Sequence, residues 1–364
     1  MVNQATATPG VMEGGGSYNL HAKIPAAGGS LALPLLEQAA RNLATNAEDS
    51  PVVIADYGSS QGKNSLAPMR AAIRALRTRL GPDRSILVVH IDQAANDFNT
   101  LFEVLDRDPE RYSSGDPNVF PSAVGRSFYE RVFPQQYVHL AWCSYAAVWL
   151  SRIPMPIPGH FIVLGASGDV RAEFDRQGAE DWKSFLSLRA GELRPGGRMV
   201  VVLPGLTDEG SVGLEGLFNH ANATLAELVD RDVISPEERA RMVLAAYPRG
   251  RSQLLAPFSS DGQFRGLIVE HCELFELPDA AWADYLQDGN KDVLATRQAR
   301  FFRSVFAPSL ASAIADEGRR NVFPDRLEEK LKRRLASQPL PLHSFVQTIV
   351  LAKQDRTLNR AVQK

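Results

Sequence analysis

Two aspartates, each closing a short apolar run rich in β-branched residues, are the first candidates for chemistry. Asp56 follows Val52, Val53, Ile54 and Ala55 and leads into a loop holding Gly58 and Gly62, while Asp92 ends the run SILVVHI of residues 85–91. A carboxylate just past the second strand of an alternating fold can accept hydrogen bonds from both hydroxyls of a ribose, and nucleoside cofactors are often held this way. A glycine after the first strand lets backbone amides approach a ligand closely. The glycines stand as G-x-x-x-G rather than G-x-G-x-x-G, so the pyrophosphate fingerprint of a dinucleotide site is absent. A loop glycine placed for backbone reasons and a plain exposed strand-end aspartate are the simpler alternatives, and both stay open at this level. The apolar, aromatic segment SYAAVWLSRIP at residues 144–154 adds Trp149, either a pocket wall at the sheet edge or a core tryptophan. His139, inside YVHLAW, reads as a satisfied strand residue rather than a base, and no Ser/His/Asp or metal-ligand constellation is visible.

The elements that must position these groups alternate along the chain. Residues 52–65 (VVIADYGSSQGKNS) read as strand and glycine loop, and apolar residues recur at helical spacing over 66–80. A second strand covers 85–91, Asn96 or Asp97 caps a following helix, and 107–125 is rich in turn formers. SFYERVFP (127–134) is a short amphipathic piece, 137–142 a strand, and 169–193 a long helix that the Pro195-Gly196-Gly197 turn ends before a strand at 199–203. Strand and helix in alternation predict a parallel, doubly wound α/β sheet, Rossmann-like in type. Before it, 1–10 is unpatterned and reads as a mobile start. Residues 12–25 (MEGGGSYNLHAKIP) read as a flexible linker or as a lid bringing the Tyr18 ring over a pocket, and 31–43 as an amphipathic helix. Beyond Gly205 the pattern changes. Helices are expected at 214–233, 236–247 and 293–314, strands at 266–277 and 344–353, and a mixed-sign solvated face at 318–334. The expected organisation is an N-terminal lid segment (1–30), a Rossmann-like core (31–205), a mainly helical cap insertion (206–265), and remaining core strands with further cap helices (266–364).

Composition narrows the partners. With 364 residues, 44% hydrophobic content and a formal charge of -2, the chain has a globular composition and no long-range field to gather nucleic acid or anionic membrane. No apolar run approaches the roughly 20 residues that span a bilayer, and the first residues lack a basic segment followed by a hydrophobic one. Cys143 and Cys272 are too few for a disulfide framework and form no close metal-type pair, so a reducing, cytoplasmic setting fits.

Several stretches together resemble the SABATH family of carboxyl methyltransferases, whose members methylate salicylate, benzoate, jasmonate and related acids, with some N-methylating xanthines. They are Gly14-Gly15-Gly16-Ser17-Tyr18, the Asp56-x-Gly58-x-Ser60-x-Gly62-x-Asn64 loop, Asp92 with Asn96-Asp97-Phe98-Asn99, Ser127-Phe128-Tyr129-x-Arg131-x-Phe133-Pro134, Ser144-Tyr145 with Trp149-Leu150-Ser151-x-x-Pro154, and ELRPGGRMVVVLPG. They run in order over about the first 205 residues, and the last third matches only in outline. The resemblance implies a class I methyltransferase sheet with a helical cap, using S-adenosylmethionine. It implies that Tyr18, Asp56, Asn64, Asp92, Ser127 and Phe128, with Gly58 and Ser60 of the loop, bind that cofactor. Asp92 would take the ribose, Phe128 the adenine side, and Trp149 would point its indole N–H at a substrate carboxylate.

The chain also departs from the family pattern. Ala22 stands where a serine is usual and Pro25 where a glutamine is usual, and proline cannot donate to a carboxylate. The loop has Ser59 and Lys63 at the places of the usual cysteine and proline. Lys63 could pair with a carboxylate or simply sit exposed at a helix start. The family's magnesium-associated motif is not recognisable, so no metal is assigned. The expected activity is O-methylation of a small-molecule carboxylic acid to a methyl ester by in-line SN2 transfer. Its rivals are N- or phenol O-methylation on the same fold, a non-catalytic binder of the cofactor, and, least, a nicotinamide dehydrogenase. Family members are often dimers, so a homodimer is left open, though no residue pattern marks an interface.

Overall fold

A computed structural model of the chain describes residues 10, 12–45, 51–260 and 262–355. The expectation for 1–10 lies, apart from Gly10, outside the described residues. Three short helices come first, α1 (Ser17–His21), α2 (Lys23–Leu31) and α3 (Leu33–Arg41). Then β1 (Val52–Tyr57), α4 (Lys63–Leu80), β2 (Ile86–Asp92), α5 (Phe98–Arg107), β3 (Val119–Gly125), β4 (Val138–Ser144), α6 (Gly168–Glu192) and β5 (Leu193–Pro204) build the first half of the sheet. The second half contains α7 (Glu215–Asp230), α8 (Pro236–Arg241), α9 (Arg251–Leu255), β6 (Gln263–Phe264), β7 (Leu267–Glu276), α10 (Ala280–Asp288), α11 (Lys291–Ala311), α12 (Glu317–Ser337) and β8 (Phe345–Lys353).

The eight strands form one sheet in the order β3-β2-β1-β4-β5-β8-β7-β6. The first five are parallel, and β8 runs antiparallel to both β5 and β7. Every residue of β1 is buried, as a strand covered on both faces must be. The period-2 alternation sorts its side chains. Val53, Ala55 and Tyr57 join α6 and the cap helices on one side, while Val52 and Ile54 join α3, α4 and α5 on the other. From β1 the chain moves outward through β2 to β3, then crosses back to β4 on the other side of β1. The crevice beyond the carboxyl ends of β1 and its neighbours is therefore the topological switch point, where doubly wound sheets bind ligands.

Several expectations change on contact with the structure. The 12–25 stretch is mostly helical rather than a linker. Gly15 and Gly16 take positive φ and make the turn that starts α1, and Pro25 sits in the first turn of α2, where its missing N–H costs nothing. The helix expected at 31–43 is α3, with α2 running directly into it. Residues 107–125 contain β3, an edge strand, which tolerates Pro121 because its outer side has no partner strand to bond. The Pro195-Gly196-Gly197 turn lies inside β5 rather than after α6, and steady pairing with β4 resumes at Arg198. Residues 242–247 are extended, not helical. All six are buried, and Leu244 and Tyr247 donate backbone N–H to Phe161 and Val148 while Leu150 donates to Ala245. The mixed-sign run is only half solvated, since α12 buries Phe323, Leu327, Leu331 and Leu335 at four-residue spacing. α10 is an element that the spacing did not announce. Among the described residues no helix is long and apolar enough to cross a membrane.

Candidate functional site

The loop after β1 is tied to the end of β2. Gly58 and Ser59 donate their N–H groups to the Ile91 carbonyl at 2.7 and 3.1 Å, and the Ser60 N–H reaches Asp92 Oδ2 at 2.7 Å. Asn96 Nδ2 donates to the Ser60 carbonyl at 2.8 Å. Ser60 is thereby held at φ 48, a conformation that costs a non-glycine residue and persists only where surrounding bonds enforce it. Gly58 has φ 85, and a Cβ there would overlap the Ala146 methyl, so the loop and the β4 segment meet at a distance only glycine allows.

Above this loop lies a cavity of about 220 Å³. Of the expected site residues, Tyr18, Gly58, Ser60, Asp92, Phe128 and Trp149 line it. Asp92 spends one lone pair of each oxygen on a backbone N–H, from Ser60 and from Gln93 at 2.8 Å, and among the described residues no hydrogen bond takes the others. Desolvation, with like charge from Asp56, pushes its pKa up to about 6. Burial and the Asp92 charge together raise the Tyr18 hydroxyl above its ordinary value. Two further polar atoms of this loop, Ser60 Oγ and Gln61 Oε1, are buried and have no hydrogen-bond partner among the described residues. A polar ligand in the cavity would supply what they lack.

Asp56, Asn64 and Ser127 do not line this cavity. Asp56 is 2% exposed and turns to Ser65 Oγ at 2.5 Å and His90 Nδ1 at 2.9 Å beneath the loop. Asn64 stands beside the Tyr18 hydroxyl, and Ser127 Oγ accepts the Tyr129 N–H at 3.2 Å, closing a local turn. Lys63 begins α4 and pairs with Asp108 at 2.7 Å and Glu110 at 3.3 Å. His139 lies in β4, where its Nδ1 accepts the Val53 N–H at 3.0 Å and its Nε2 stands 2.7 Å from Arg194 Nη1, away from the cavity. Gln61, Tyr145 and Asp97 were not foreseen as site residues. Asp97 caps α5 and accepts the Gly15 N–H at 3.1 Å, and its signals in the sequence were the cap-like Asn-Asp pair and its place in the Asn96-Asp97-Phe98-Asn99 stretch.

Phe128 is placed by a buried network. Glu192 accepts the Tyr57 hydroxyl at 2.6 Å and the Val132 N–H at 2.7 Å and pairs with Arg189, whose Nη1 donates to the Phe128 carbonyl at 2.7 Å. Glu192→Ala leaves the Arg189 guanidinium buried and unpaired. It is expected to lower stability by about 3–5 kcal/mol, read from urea unfolding.

A second, apolar cavity of about 80 Å³ adjoins the first, and Met12, Tyr18, Tyr145 and Trp149 line both. Trp149 is fixed at this junction through its backbone. Its N–H meets the Ala146 carbonyl at 3.0 Å, its carbonyl accepts the Tyr129 hydroxyl at 2.7 Å, and it forms an antiparallel bridge with Ala246. Among the described residues no hydrogen bond uses its indole N–H. The segment before α1 is fastened from two sides. Arg303 of α11 pairs with Glu13 at 2.9 Å and with Asp325 and Glu328 of α12, while Gln61 Nε2 donates to the Glu13 carbonyl at 2.7 Å. Among the described residues no group of His, Cys, Asp and Glu side chains could hold a metal ion.

The chain is similar to known proteins along nearly its whole length. The sequence model of a family described as SAM dependent carboxyl methyltransferase matches residues 7–354. Loganic acid O-methyltransferase of Catharanthus roseus is 32% identical over 208 residues, 51% of this chain and 53% of that protein. The chain thus spans about half the length of that relative. Salicylate carboxymethyltransferase of Clarkia breweri is 27% identical over 287 residues, 75% of this chain and 77% of that protein. A solved structure described as loganic acid methyltransferase with SAH superposes with a TM-score of 0.77 at 23% identity, covering 95% of this chain and 99% of that one, a likeness of fold. With a sheet that reverses at β1, a cavity over its switch point and a family match over residues 7–354, the chain belongs to the SAM-dependent carboxyl methyltransferase family.

Proposed function

We propose that this protein transfers the methyl group of S-adenosylmethionine to the carboxylate of a small-molecule acid, forming a methyl ester. The observation that carries the reading is the junction at Trp149, where a cavity of mixed polar and apolar lining over the loop after β1 shares a wall with an apolar one. When bound, S-adenosylmethionine supplies an electrophilic methyl group on a sulfonium. The residues present fit it. The remaining lone pairs of Asp92 suit a ribose diol, the Phe128 ring offers an apolar face, and Ser60 Oγ and Gln61 Oε1 await polar partners. Asp56, Asn64 and Ser127 then act as positioning residues behind Ser65, Tyr18 and Tyr129.

A carboxylic acid is ionised at neutral pH, its reference pKa being about 4, so it attacks without a protein base. The residues of the second cavity therefore orient the acid and exclude water, which is where positioning supplies rate. Trp149 provides a donor-only N–H toward the carboxylate, while Pro25, on the same wall, provides none. Incubation with labelled S-adenosylmethionine and a panel of aromatic and aliphatic acids is expected to yield a base-labile ester. Cofactor binding with no ester from any acid would overturn the reading. The missing donor at Pro25 favours, as the second reading, transfer to a ring nitrogen or phenol, whose product survives mild base. Location in the cytoplasm is supported by the free thiols of Cys143 and Cys272, and a homodimer by the resemblance alone.

The Glu13–Arg303 fastening bears on the same site. Arg303→Ala is expected to weaken S-adenosylhomocysteine binding several-fold at low ionic strength, with a smaller loss at high salt, because the pair is only partly buried. Titration calorimetry at two salt concentrations checks it.

A further inference from the structure

The second cavity has an almost wholly apolar wall, with Ile24, Val148, Phe301 and Val305 among its members and no charged side chain. One exception has no role in anything described so far. Ser344, just ahead of β8, is 4% exposed and lines this cavity but not the first. Its backbone is satisfied, the carbonyl accepting the Leu277 N–H at 2.8 Å and the N–H meeting the Leu342 carbonyl at 3.1 Å. Its Oγ is buried and has no hydrogen-bond partner among the described residues. A buried hydroxyl without a partner is a standing cost to the fold, and a fully apolar wall would not carry it. Tyr145 Oη is a second such hydroxyl, but it belongs to the wall the two cavities share.

We infer that Ser344 is a specificity-determining residue that hydrogen-bonds a second, uncharged polar group of the acceptor acid, a hydroxyl or carbonyl remote from its carboxylate. This rests on the reading of the second cavity as the acceptor site. The placement gives the remoteness: the carboxylate end belongs at Trp149, on the shared wall, whereas Ser344 faces the second cavity alone. The hydroxyl gives the chemistry, since it can donate or accept but cannot neutralise a charge. The rest of the wall sets the remainder of the substrate class. A second carboxylate or an ammonium would be buried without a counter-charge, so the acid is otherwise apolar.

Matched acids test this, for example 3-(4-hydroxyphenyl)propanoate against 3-phenylpropanoate, with an aliphatic pair differing by one distal keto oxygen. Binding to the protein saturated with S-adenosylhomocysteine is measured by calorimetry, and ester formation with S-adenosylmethionine is measured separately. In at least one pair the wild-type protein is expected to bind the oxygenated acid about tenfold more tightly. Ser344→Ala should remove that preference without weakening the unoxygenated acid, and Ser344→Thr, which keeps the hydroxyl, should retain it. S-adenosylhomocysteine affinity should be equal in all three proteins, which reports an intact fold. No preference in any pair, a preference unchanged in Ser344→Ala, or no binding of any acid overturns the inference. Acids that bind with the Ser344-dependent preference yet yield no ester overturn the methylation reading instead and support this one.

Discussion

Asp92→Ala is expected to lower the affinity for S-adenosylhomocysteine by about a hundredfold in a protein that still unfolds cooperatively. Hydrogen bonds to a charged group contribute about 1.5–3 kcal/mol each, so losing the acceptor of a ribose diol accounts for two orders of magnitude. The same carboxylate also holds the Ser60 N–H and with it a strained loop residue. Asp92→Asn separates these roles, because the amide keeps one acceptor oxygen for the loop while losing the charge, and an intermediate loss is expected. pH supplies a check without mutation. The Asp92 pKa is raised to about 6, so its contribution to the stability of the ligand-free fold is fully present at low pH and is lost as pH rises through about 6. Ligand affinity runs the other way. The ionised carboxylate is the better acceptor, so binding should weaken as pH falls below about 6. Calorimetry between pH 5 and 8 decides it; a flat profile together with an unaffected Asp92→Asn protein would remove Asp92 from the ribose site.

The second large effect belongs to Trp149. Trp149→Phe keeps a ring on the shared wall and deletes only the N–H, since the residue is anchored through its backbone to Ala146, Tyr129 and Ala246. The expected result is a fall of about tenfold to a hundredfold in kcat/KM for the preferred acid, the range for one hydrogen bond to a carboxylate. S-adenosylhomocysteine affinity should stay within about twofold. An unchanged kcat/KM would return the indole to a packing role.

Local patterns explain why parts of this site could be read directly from residues. The β-branched run before Asp92 and the glycines around Ser60 announce strand and turn through short-range chemistry, and both ended at the cavity. Asp56 was equally visible as a strand-end acid, but its parity decided where it points. It shares the even face of β1 with Val52 and Ile54, toward α4, and so meets Ser65 rather than the crevice. Ser127 was visible as part of a motif, yet its hydroxyl serves the turn at Tyr129. What could not be read were dispositions set by distant chain. Trp149 gains its place from Ala246, in an extended stretch whose apolar run resembles a helix until its partners at Val148 and Phe161 are known. The alternation of β7 and β8 identifies strands but not direction, and their antiparallel insertion beside β5 follows from tertiary packing.

Met12 and Tyr18 come from one fastened segment, yet each forms part of the boundary of both cavities. Whatever steadies that segment from the nucleoside side thereby completes the enclosure on the acid side. Linkage would make any such coupling reciprocal: an occupant of one cavity that steadies Met12 and Tyr18 would tighten the hold on an occupant of the other, and the second would return it by the same factor.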